Sequence, residues 1–234
     1  MMTLGSGGKS GSTLEVRFPV GEAGEVSGVL SVPAEPVKTG LILAHGAGND
    51  MHQPMLVFLA DHLAQAGYLT LRFNFLYKQE GKTAPDRPEK LYQAWKAAHH
   101  FLREHPRCPP APIIAAGKSM GGRIVSQMVA EGQLEAGRLI FLGYPLHPPG
   151  RKERLRDRHL SAIRIPMHFF AGTRDPLCDL ELLRKVLSHL DAPWQLEVIE
   201  GADHSFKVPK TAGISPDEIY QRITEKILQQ LAGP

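Results

Sequence analysis

One serine sits at a turn flanked by glycines: Gly117-Lys118-Ser119-Met120-Gly121. An apolar run over 113–116 precedes it and a helical apolar pattern follows. This is the G-x-S-x-G arrangement of a nucleophile elbow. A serine hydroxyl that attacks a carbonyl must project clear of its sheet, which requires a sharp strand-to-helix turn. Bulky residues two positions to either side would collide with the neighbouring strand and helix. Glycines at 117 and 121 remove that collision, and Gly122 lets the new helix pack close. The first helical N–H groups then point at the reacting carbonyl, where the helix dipole adds its field.

A free hydroxyl is a weak nucleophile at neutral pH and needs a base, worth roughly 10²–10⁴-fold in rate. The chain has 11 histidines. His52, His62, His99, His100, His105, His159 and His189 lie in helical or polar stretches, and His168 alternates within a strand. His204 alone follows the last predicted strand, in a loop of small and polar residues. The orienting acid should stand after the preceding strand, and Asp175 does, following Phe169-Phe170-Ala171-Gly172. Asp179 reads as the cap of the next helix. Asp203 is adjacent to His204, and successive side chains in an extended loop diverge. The order Ser119, Asp175, His204 fits a triad in which the acid fixes the imidazole tautomer. Charge on a tetrahedral intermediate needs N–H donors. The backbone of Met120 is one, and the loop His45-Gly46-Ala47-Gly48 should supply the other through Ala47. His45 is expected to pack and hydrogen-bond within that loop.

These residues require a scaffold that brings four strand ends together. Two alternating segments, Ser12–Val20 and Gly24–Pro33, read as a hairpin around "GEAG". A buried strand over "TGLILA", a helix over "QPMLVFLADHLAQAG" and a strand over Tyr68–Phe75 follow. A polar stretch then leads to a helix near Lys90–Glu104. Beyond it, strands at "PIIAAG", "RLIFLGYPL", "PMHFFAG" and "WQLEVIE" alternate with helices at "MGGRIVSQMVAEG", "DLELLRKVLSHL" and "SPDEIYQRITEKILQQL". Regular alternation demands a mostly parallel sheet of about eight strands, with right-handed crossovers and helices on both faces. In such an α/β architecture, chemistry gathers at the carboxyl ends of the strands. Residues 1–12 are rich in Gly and Ser and are expected to be disordered, and residues 13–234 to form one domain.

Composition excludes several classes. The chain has 234 residues, 42% hydrophobic and 22% charged, with a net charge of 27 − 24 = +3, too small to suggest nucleic acid. Cys108 and Cys178 form no C-x-x-C pair, so neither zinc nor a redox dithiol is suggested. No apolar run reaches a membrane span and no export signal is visible, so a cytoplasmic protein is expected. Neither "GSGGKS" near the start nor Gly117-Lys118-Ser119 has the earlier glycine of a phosphate-binding loop: Thr3 and Pro112 stand there instead. No metal and no cofactor are implied.

With the elbow, the donor loop, the acid and the base in this order, the sequence resembles the α/β-hydrolase superfamily over about Leu14 to Leu231. The stretches "AHGAGNDMHQPML", "LRFNF", "GKSMGGR", "GYPLHPPGRKERLRDRHL", "PMHFFAGTRDPLC" and "ADHSF" are similar to its small dienelactone-hydrolase-related branch, which includes the testis-expressed protein 30 type of predicted hydrolases. The resemblance implies an α/β-hydrolase fold without a large lid domain, with Ser119, Asp175 and His204 as the triad. Dienelactone hydrolases proper use cysteine as nucleophile, so their substrate does not carry over.

The segment "YPLHPPG…LRDRHL" follows the strand after the elbow helix and should border the site. Gly46, Tyr144 and His147 are therefore read as substrate-contacting residues. Arg72 and Asn74, near the end of their strand, stand at the same edge. Arg151, Lys152, Arg154, Arg156 and Arg158 either steer an anionic substrate or form a solvated surface with internal ion pairs. The function expected is a serine hydrolase acting on a small ester or thioester. Alternatives are acyl transfer on the same triad, or an interaction module that keeps the fold without catalysis. The partner expected is a small acyl substrate; neither a protein partner nor a homo-oligomer is indicated.

Overall fold

The structure is a computed structural model and describes residues 11–34 and 37–232. The expected disordered segment therefore lies outside the described residues up to residue 10, while Ser12 already belongs to a strand. Eight strands form one sheet: β1 (Ser12–Pro19), β2 (Glu25–Val32), β3 (Thr39–Ala44), β4 (Tyr68–Phe73), β5 (Ile114–Lys118), β6 (Arg138–Leu142), β7 (Met167–Gly172) and β8 (Trp194–Ile199). Their spatial order is β1-β2-β4-β3-β5-β6-β7-β8. β1 and β2 pair antiparallel, as do β2 and β4; every other pairing is parallel. The hairpin turn between β1 and β2 is a short 3₁₀ segment, Gly21–Ala23.

The helices divide between the two faces. α1 (Pro54–Gln65) and α6 (Pro216–Ala232) cover one, packing Leu56, Leu59, Leu63, Ile219 and Ile223 against Leu41, Leu43 and Phe170. The short α2 (Leu76–Gln79), together with α3 (Pro88–Arg103), α4 (Met120–Ala130) and α5 (Leu180–Leu187), lies on the other. There Trp95, Ile124 and Leu183 meet Ile42, Phe141 and Phe169. The alternating strand residues supply both cores, which is why β3, β5, β6 and β7 read as nearly continuous apolar runs. α2 is a helical turn inside the polar stretch that the sequence shows only as a connection. No helix among the described residues is long and apolar enough to cross a membrane.

Loops after β3, β5, β7 and β8 all emerge at the same end of the sheet. The parallel register from Ala44↔Gly117 through Phe141↔Phe169 to Gly172↔Ile199 sets their heights to match.

Candidate active site

Ser119 joins β5 to α4 with φ 49° and ψ −113°, a conformation that non-glycine residues rarely adopt. Such strain costs on the order of 1–3 kcal/mol and persists only where the surroundings enforce it. Here they do. Ser119 N–H donates to Leu142 O at 3.1 Å, and Ser119 O accepts from Arg123 N–H at 3.0 Å. A Cβ on Gly117 would lie 2.3 Å from Gly122 N, and one on Gly121 would lie 2.7 Å from His45 O. The flanking glycines are thus required by contact distances.

Three side chains distant in sequence meet at this turn. Ser119 Oγ lies 2.8 Å from His204 Nε2, and His204 Nδ1 lies 2.7 Å from Asp175 Oδ2. A carboxylate only accepts, so Nδ1 carries the proton and Nε2 is left to receive the serine hydrogen. The Asp175 side chain is fully buried, and its other oxygen accepts from Leu177 N–H at 2.8 Å. His204 and Ser119 remain partly exposed. Asp203, rejected as the acid, ties the loop: its Oδ1 accepts from the N–H groups of Ser205 and Lys207 at 2.8 and 2.9 Å. Asp179 caps α5, accepting from Glu181 and Leu182.

The loop after β3 lies directly beside the serine. A Cβ on Gly46 would stand 3.3 Å from Ser119 Cβ, whereas Ala47 is exposed. His45 is wholly buried, and burial lowers its pKa to about 4, so the ring is neutral. Its Nε2 accepts from Phe75 N–H at 3.2 Å, which puts the proton on Nδ1 for donation to Gly46 O at 2.8 Å. That bond fixes the plane of the Gly46–Ala47 peptide. Arg72 and Asn74 hold the far end of the same loop through Met51, by a 2.6 Å bond to its carbonyl and a 2.9 Å bond from its N–H.

Two residues expected to contact substrate are nearly buried. Tyr144 is 1% exposed and packs edge-on to Phe141 and Phe169. Its hydroxyl donates to Arg156 O at 2.6 Å, anchoring the inserted segment and leaving no surface for a ligand to touch. His147 is 2% exposed, accepts from Asp179 N–H at 3.0 Å on Nε2 and bonds Pro148 O through Nδ1. It braces the loop that carries Asp175. The sequence also gave no sign of the contact between Ser126 of α4 and His159, 2.7 Å apart, which ties the insertion to the elbow helix. Nor did it signal where Lys118 goes: its side chain is buried and reaches the His204 backbone. A lysine closing an otherwise apolar strand was the available hint.

Residues 37–232 match the family described as the alpha/beta hydrolase domain. The chain belongs to that family. Among solved structures, it is similar to a dienelactone hydrolase from Anabaena variabilis, with TM-score 0.72, 21% identity and 94% and 98% of the two chains covered. An alpha-beta serine hydrolase homologue from Coxiella burnetii gives TM-score 0.72 and 20% identity over 95% and 98%. A Xanthomonas campestris serine hydrolase without lid gives 0.62 and 18% over 85% and 87%. Over 211 residues the chain is also 25% identical to a Mycobacterium tuberculosis protein named as a candidate phosphoribosyl transferase, covering 89% of this chain and 45% of that protein. It thus spans under half the length of that relative. The family match and these shared folds bear out the expected α/β-hydrolase fold, and the described residues form no large lid.

Proposed function

We propose that this α/β hydrolase is a serine hydrolase that cleaves a small ester or thioester through an acyl-enzyme. The hydrogen-bonded row from Ser119 Oγ through His204 to Asp175 carries the reading. In the first half-reaction, Ser119 Oγ bonds to the acyl carbon while its proton moves to His204 Nε2. Asp175 holds the imidazolium that forms. Collapse of the tetrahedral intermediate breaks the bond to the alcohol or thiol, which leaves with the proton from His204. Water then repeats the sequence on the acyl-serine and releases the acid.

The oxyanion is received by the N–H groups of Met120, at the head of α4, and Ala47. The clamp of His45 on Gly46 supports the second assignment, because a peptide plane held at its carbonyl is also held at its N–H. Each such donor is worth about 2.7–4 kcal/mol of barrier. No group in this cycle needs a cofactor.

A stopped-flow trace with excess p-nitrophenyl acetate tests the acyl-enzyme. The expected record is a burst of p-nitrophenol near one equivalent of protein, followed by a slower steady rate. Folded protein that neither bursts nor turns over short esters and thioesters would count against the proposal.

A further inference from the structure

Lys118 ends β5, one residue before Ser119, and is 3% exposed. Lysine is almost never buried to that degree without a partner. Its Nζ donates to the backbone carbonyl of His204 at 2.5 Å, across 86 residues of chain. Strands β6 and β7 lie between β5 and β8, so this contact must cross the end of β6. The residue at that crossing is Gly143, with φ 69°. A Cβ there would stand 3.0 Å from Lys118 Nζ, 3.3 Å from His204 O and 3.5 Å from His204 Nδ1. The missing side chain is what lets the lysine and the histidine meet. The Phe206 ring, its centroid 5.5 Å from Nζ, closes the other side.

We propose that Lys118 is a positioning residue, a strut that ties the strand end carrying Ser119 to the backbone of His204 and so sets the distance between them. This rests on the serine-hydrolase reading above. The bonds from Asp203 to Ser205 and Lys207 fix the shape of the His204 loop, but they are internal to it. They leave its height over Ser119 undetermined. The Lys118 bond joins the loop directly to the nucleophile's own neighbour. A displacement of about 1 Å in such a pair can cost 10²-fold in rate.

The strut is charged. Burial draws the lysine's pKa down to about 8, while Asp175, after β7, and Asp203, after β8, hold it up, so it stays an ammonium at neutral pH.

The test is the rate of fluorophosphonate labelling of the full chain at neutral pH, for wild type, Lys118→Met and Lys118→Arg, with thermal unfolding recorded for each. Lys118→Met is expected to label roughly 10–100-fold more slowly. Lys118→Arg keeps a donor and a charge and should recover part of the rate. Gly143→Ala crowds the strut while leaving the lysine in place, and should give the same slowing if Lys118→Met does not fold. A folded Lys118→Met or Gly143→Ala protein with an unchanged labelling rate overturns the strut and leaves Ser119 reactive. Wild type that takes no label on Ser119 overturns the hydrolase reading and the strut with it.

Discussion

The elbow and the inserted segment over 145–162 lie side by side, but they are built by different rules. At the elbow, backbone contacts leave one residue type possible at two positions: a Cβ on Gly117 or Gly121 would stand 2.3–2.7 Å from backbone atoms. In the insertion, mostly turns with one 3₁₀ segment at Leu160–Ala162, order comes from individual side chains reaching out. Tyr144 bonds Arg156 O, His159 bonds Ser126, and Lys152 pairs with Asp179. The lesson is that polar residues near a site divide by partner. Ser119, Asp175 and His204 bond one another, whereas Tyr144 and His147 bond backbone.

The sharpest way to break this comparison is to change one group on each side. Asp175→Asn should leave the geometry in place but favour the wrong tautomer of His204, lowering kcat by about 10⁴-fold; steady-state ester hydrolysis reads it. If turnover were unchanged, Asp175 would belong with the bracing residues instead.

Acid should act on both regions. His45 beside the elbow, His159 in the insertion and His168 within β7 are each drawn from 6.5 to about 4, chiefly by burial. Their folded-state pKa lies below the unfolded value, so protons favour the unfolded chain. Stability is then full above pH 6.5 and falls as pH drops towards 4, by on the order of 3 kcal/mol for each histidine. Denaturant midpoints between pH 7 and 4.5 measure this, and replacing His159 by Gln should flatten the slope. An unchanged slope would mean that His159 is not held neutral in the fold.

Much of the site could be read from sequence because its demands are local. A strand, a turn of glycines and a helix announce Ser119, and strand ends announce Asp175 and His204. The α3 boundary, Pro88–Arg103, was two residues from expectation because proline fits the first helical turn as readily as it ends a loop. The bonds that Tyr144, His147 and Lys118 make were not legible for one reason. Their partners, Arg156 O, Asp179 N–H and His204 O, are backbone atoms 12, 32 and 86 residues away. Nothing in a side chain's own neighbourhood reports such a partner.

A smaller effect sharpens the boundary between the regions. Tyr144→Phe removes one buried hydroxyl and leaves Arg156 O short of a donor, which should cost about 1–3 kcal/mol of stability. Thermal unfolding should show it, while KM for a small ester stays within twofold. A large rise in KM at unchanged stability would return Tyr144 to the substrate site.

The smallest expected response is to salt. Arg151 and Arg154 are exposed, as is Lys152, which is already paired with Asp179. Screening should therefore change kcat/KM for neutral and anionic esters alike and only slightly between 20 and 300 mM salt, although the Debye length shortens about fourfold over that range. A steep loss confined to anionic esters would make the insertion a steering surface.

The central claim is that Ser119 is a nucleophile activated by His204. Intact mass spectrometry after exposure to a fluorophosphonate tests it most directly. The account predicts one adduct on wild type, mapped to Ser119, and none on an equally folded Ser119→Ala protein. Folded wild type that stays unmodified, or a Ser119→Ala protein that labels as readily, would contradict it.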